Sequence, residues 1–200
     1  MHQDSNLKLE YQLARTISTY SSPLLVSVLV FIGINYYLLK GYDFLTVTFT
    51  SIFFVFLLPS IPAYLWMKKN IVDFELPKKE DRFYPLLYFL LSYLIGAIVL
   101  YIISAPPITT VLMFCYFSNT LLVLLISQFW KISIHSVGIV GPVIALIYVL
   151  GYVGLVFTVL IPLVMWSRVY LKKHSLSQVI AGACMAFAST LAQIYLLIGF

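Results

Sequence analysis

The sequence predicts an all-α integral membrane protein, a polytopic bundle of about six to seven transmembrane helices preceded by an N-terminal interfacial helix. Three observations carry that expectation. Of 200 residues, 62% are hydrophobic and 10% charged, whereas about a quarter of the residues in a soluble domain are charged. Apolar runs of membrane-spanning length alternate with short polar breaks. Eleven of the twelve Lys and Arg residues fall in breaks that successive crossings place on one side. Residues 1–200 therefore read as a single integral domain. The net charge of +5 is a topology signal here, and no nucleic-acid partner is expected.

Taken in order, residues 1–22 are polar and mixed in charge. Leu7, Tyr11, Ala14 and Ile17 recur at helical spacing with Lys8, Glu10 and Arg15 off the stripe, as in an interfacial helix. The next apolar run ends in Leu39-Lys40-Gly41 without a small-residue cleavage site, so a removable signal peptide is not expected. Span one covers about 23–39 and opens on Pro23, a good first-turn residue. Span two covers about 44–67, where Pro59 and Pro62 are expected to kink it. Residues 68–84 form the one long polar loop. Spans three (about 85–104) and four (about 109–129) are joined by Ala105-Pro106-Pro107, a hairpin connection. Spans five (about 136–150) and six (about 153–169) meet at Gly151 and Gly154, and span seven covers about 176–199. Six spans result if five and six are one. Cys115 and Cys184 lie inside apolar runs without metal or redox spacing and read as packing residues.

Seven crossings put the N-terminus and residues 68–84, 130–136 and 170–175 on one face, leaving only Lys40 opposite. The positive-inside rule makes that face cytoplasmic. Sixteen residues separate His135 from Gly151, and sixteen separate Gly154 from Tyr170. At ~1.5 Å per residue each leg is about 24 Å, so the chain returns to its starting depth. His135 and His174 are thus expected at one level, joined by Arg82, Arg168 and several lysines. Arginine forks match phosphoryl oxygens, and two imidazoles allow one to attack phosphorus while the other protonates the leaving oxygen. A phosphate ester at a lipid interface is the chemistry these side chains suit. Asp73, Glu75, Glu80 and Asp81 have no histidine nearby in sequence, so neither a metal nor another cofactor is expected. Asn119 lies mid-span, about 24 Å of helix from the level of His135, and reads with Gln193 as interhelical hydrogen-bonding glue.

Ser167-Arg168-x5-His174-x3-Gln178 resembles the third motif, SRxxxxxHxxxD, of the phosphatidic acid phosphatase type 2 superfamily of membrane lipid phosphatases. Ser133-Ile134-His135 resembles its second motif, PSGH, and Lys78/Lys79 through Arg82-Phe83-Tyr84-Pro85 its first, KxxxxxxRP. Together the three occupy residues 78–182, about half the chain. The chain departs from the pattern with Gln178 for aspartate, Ile132 and Ile134 for the PSGH proline and glycine, and Glu75 at the usual lysine position. Two spans also lie between the first and second motifs.

The resemblance implies a metal-independent phosphatase acting on a lipid or isoprenyl phosphate or diphosphate through a phosphohistidine. In that reading His174 is the nucleophile, His135 the leaving-group acid and Gln178 the partner of His174. Arg82, Arg168, Ser133, Lys79 and Lys131 would hold phosphoryl oxygens. The neutral Gln178 keeps open a non-catalytic relative that binds or moves an anionic lipid, and a basic-faced structural subunit is the third alternative.

Overall fold

A computed structural model describes residues 2–71, 78 and 80–199, with side chains described from residue 8 onward. All regular structure among the described residues is helical. In chain order the helices are α1 (His2–Tyr20), α2 (Pro23–Leu38), α3 (Gly41–Ile52), α4 (Leu58–Asn70), α5 (Phe83–Ile102), α6 (Pro107–Ser127), α7 (Ile134–Leu150), α8 (Leu160–Tyr170) and α9 (Leu176–Ile198). Five helical runs are long and apolar enough to cross a membrane, and a sixth arises if α1 and α2, bent by 56°, form one span. The integral membrane class read from composition stands on these helices.

The run from Ile134 to Tyr170 is helical throughout but reverses at Gly151, which has φ +58°. Three residues later a Cβ on Gly154 would lie 2.5 Å from the Ile147 Cα. That approach requires the 3₁₀ segment Gly151–Val159 to run back along α7, and only glycine permits it. The two equal legs expected from the sequence therefore exist as a hairpin, and His135 at its start shares a cavity with Arg168 near its end. The layout around it is simple. α6 packs between α5 and α9, α7 packs against α2, α8 and α9, and α1 lies along α8. Polar pairs tie the buried faces: Thr109 donates to Asn35 at 2.7 Å, Asn119 to Thr190 at 3.0 Å, and Ser118 to Gln193 at 2.8 Å. Asn119 and Gln193 thus join α6 to α9 as expected.

The prolines of span two act through hydrogen bonding. Between α3 and α4 the backbone makes one π turn, Phe53–Leu57, in which the Leu58 N–H bonds the Phe53 carbonyl. The Phe54 carbonyl would then look one residue further on, to position 59, where proline has no N–H. Ser92 of α5 fills the vacancy, donating its hydroxyl to the Phe54 carbonyl at 2.6 Å. One turn along α5, Gly96 leaves no room for a side chain, since a Cβ there would sit 2.6 Å from the Phe54 Cβ. This is how the π turn is fixed against α5, which carries Arg82 at its start.

Candidate functional site

The stretch from Ser167 to Gln178 is built by a turn and a helix cap. After α8 the chain turns tightly through Lys172, at φ +55°, so that the N–H groups of Lys173 and His174 both reach the Arg168 carbonyl, at 3.0 and 3.2 Å. The six-residue step from Arg168 to His174 is the length of that turn. Ser175 then caps α9: its hydroxyl accepts the Gln178 N–H, and the Gln178 side-chain oxygen accepts the Ser175 N–H at 3.1 Å. This reciprocal arrangement is a capping box.

The same Gln178 oxygen lies 3.0 Å from His174 Nδ1. Because the Ser175 N–H can only donate, the shared atom is the amide oxygen, and Nδ1 must carry the hydrogen. Nε2 is then left with its lone pair on a ring that lines the main cavity. His174 itself is only 7% exposed. Its pKa is pushed down to about 4 from the ordinary 6.5, chiefly because burial penalises the charged ring. The Gln178 bond works in the opposite direction, while the charges of Lys131, Arg82 and Arg168 lower it further. At neutral pH the ring is neutral and nucleophilic.

The other groups converge from different elements. Arg82 and Arg168 are both almost completely buried and line the same cavity as His135 and His174. Arg82 donates to the Ile132 carbonyl at 2.8 Å, which ties the start of α5 to the segment leading into α7. Arg168 donates to the Ser18 hydroxyl of α1 at 2.5 Å, and the His135 ring lies within hydrogen-bonding reach of the Ser18 backbone. Ser133 caps α7 through its hydroxyl, which accepts from the Ser136 N–H and hydroxyl, and its own N–H donates to the Gln178 carbonyl at 3.3 Å. Gly182 of α9 permits that contact, since a Cβ there would lie 2.9 Å from the Ser133 carbonyl oxygen. This glycine, near the start of α9, thus seats one histidine segment on the other.

Of the expected site residues, His135, His174, Arg82 and Arg168 face one cavity, and Gln178 supports His174 from behind. Ser133 is placed as a helix cap one step from the cavity wall. Lys131 donates to the Lys173 carbonyl at 2.9 Å, tightening the loop beside His174. Lys79 lies outside the described residues. Among the described residues no three His, Cys, Asp or Glu side chains gather as a metal site would require. The sequence reading missed Ser18, which is 150 positions from Arg168. The stripe on α1 that carries it was visible as Ala14 and Ile17, yet Tyr11 of that stripe is half exposed and Ala14 and Ser18 are buried. Cys115 is buried at the cavity wall, whereas Cys184 is exposed rather than packed.

Compared with family models, with curated proteins and with solved structures, the chain matches none.

Proposed function

We propose that this chain is a membrane phosphatase that removes phosphate from a lipid or isoprenyl phosphate or diphosphate through a phosphohistidine on His174, in the manner of the phosphatidic acid phosphatase type 2 superfamily. The observation that carries the reading is the Nδ1–H of His174 held on Gln178 while two buried arginines and a second imidazole line the same cavity. An anion entering there meets Arg82 and Arg168, whose guanidinium forks match phosphoryl oxygens and hold the charge that spreads over them in transfer.

In the first step the Nε2 lone pair of His174 forms a bond to phosphorus as the ester P–O bond breaks. A phosphate dianion beside His135 favours the protonated ring, which gives its proton to the leaving oxygen. In the second step water attacks phosphorus, the P–N bond breaks, His135 takes the water proton, and inorganic phosphate leaves. Gln178 keeps the attacking nitrogen pointed at the substrate but, being neutral, stabilises the charged ring less than a carboxylate would. That same neutrality favours the second reading, a non-catalytic relative that holds an anionic lipid.

The proposal includes topology. Seven crossings, made by α2, α3 with α4, α5, α6, α7, the 3₁₀ segment with α8, and α9, place the site on the cytoplasmic face, with α1 lying at the interface over it. The test is phosphate release by the purified chain in detergent from phosphatidate, prenyl phosphate and prenyl diphosphate. Release from at least one, reduced about 10²-fold or more in His135→Ala, supports the phosphatase. Binding without release supports the second reading.

A further inference from the structure

The cavity that begins at the two arginines continues into the bundle with a volume of about 700 Å³. Its wall follows α5 from Arg82 to Tyr93, α6 from Val123 to Leu112 and α4 from Met67 back into the π turn at Phe56. Each of these stretches covers twelve residues, or eleven steps and about 16 Å of helix rise, half the hydrocarbon thickness of a bilayer. The cationic end is thus continuous with a deep apolar end that reaches Leu112, Tyr93 and Tyr116.

We infer that this cavity takes a single-chain phosphate amphiphile, with its phosphate at Arg82 and Arg168 and one chain of up to about twenty carbons inside. A water-sized group fills about 30 Å³ in a liquid, and a methylene is close to that size, so 700 Å³ holds on the order of twenty such groups. A diacyl phospholipid with two sixteen-carbon chains needs roughly half as much space again by the same measure. Arg82 is 1% exposed and Arg168 2% exposed, so a phosphate bound to them lies inside the protein. The glycerol branch point, two or three bonds further on, is then inside as well, and both chains must start within the cavity. From a membrane the chain gains little by the transfer, because lipid is as apolar as the cavity wall. Discrimination is therefore steric, a matter of chain number and length.

This inference rests on the cationic end being a phosphate site, and it does not depend on turnover. The full chain in a neutral detergent is titrated with hexadecyl phosphate, dipalmitoyl phosphatidate, hexadecanol and alkyl phosphates of twelve to thirty carbons, with binding read by native mass spectrometry at equal micellar mole fraction. Hexadecyl phosphate is expected to bind at least tenfold more tightly than dipalmitoyl phosphatidate, and affinity is expected to fall tenfold or more between about twenty and thirty carbons. A gap under tenfold between the one-chain and two-chain ligands, or affinity that holds constant to thirty carbons, overturns the inference. Hexadecanol binding as tightly as hexadecyl phosphate contradicts the phosphate site itself, and with it the proposed function.

Discussion

The side-chain oxygen of Gln178 accepts two N–H groups at once, one from the Ser175 backbone and one from His174. Capping of α9 and orientation of the proposed nucleophile are therefore one structural feature, and an aspartate, one carbon shorter, would be strained to serve both. Glutamate keeps the reach. Gln178→Glu is expected to retain both bonds, gain from the helix N-terminus and stabilise the charged ring, raising turnover by about 10-fold to 10³-fold, judged against the much larger loss when a triad carboxylate is neutralised. Gln178→Leu removes the acceptor of both bonds and is expected to lower turnover and to cost about 1 kcal/mol of stability through the cap. Phosphate-release rates and thermal unfolding of the two variants check both outcomes.

His174 also predicts a pH dependence. Its folded pKa of about 4 lies below the ordinary 6.5, so as pH falls the unfolded chain takes up the proton first. The stability this neutral ring contributes is complete above about 6.5 and is lost as pH drops towards 4. Over the same window the free protein keeps the His174 ring unprotonated, so if that ring is the nucleophile as proposed, kcat/KM is expected to show no loss from it between pH 7 and about 5. An acid limb centred at 6.5 in the parent protein, matched by the NMR titration of the His174 ring, would contradict this.

Among the elements, the α3–α4 run shows how a local rule is resolved by a distant partner. Proline at 59 was visible in the sequence as a disruption, and a kink was the expectation. That the chain answers with a π turn, and that Ser92, 38 residues away, takes the orphaned Phe54 carbonyl, follows from packing against α5 and has no local signature. Ser92→Ala leaves a carbonyl unsatisfied in an apolar interior, at a cost of about 1–3 kcal/mol. The expected result is a lower melting temperature in detergent with the site chemistry unchanged once folded. The equal legs of the α7–α8 hairpin, by contrast, could be counted directly, because each is set by helix rise and a glycine turn. Ser18 could not be read off, since only the docking of α1 along α8 brings it to Arg168.

For the whole molecule, hydropathy marked nearly every helix, because a bilayer demands apolar length and internal backbone bonding. The cavity was not legible. Its walls come from seven helices, α1, α2 and α4 to α8, and most of these are apolar on the lipid side too, so no periodicity distinguishes a lined cavity from a lipid contact. Orientation rests on charge: the proposed seven crossings would put eleven of the twelve basic residues on the site face and one opposite, so that face is expected in the cytoplasm. A cysteine placed at Lys173, in a chain whose own cysteines are replaced, is expected to resist an impermeant thiol reagent in intact cells and to react once the membrane is opened. Ready labelling from outside would reverse the topology.

The central claim is the covalent step at His174. Rapid acid-free quench of the purified chain with a ³²P-labelled single-chain prenyl phosphate, followed by peptide mapping, measures it most directly. The account predicts an acid-labile, base-stable phosphoryl group on the peptide containing His174, absent in His174→Ala, which still binds substrate within a few-fold yet releases no phosphate. Phosphate release by His174→Ala at the parent rate would contradict it.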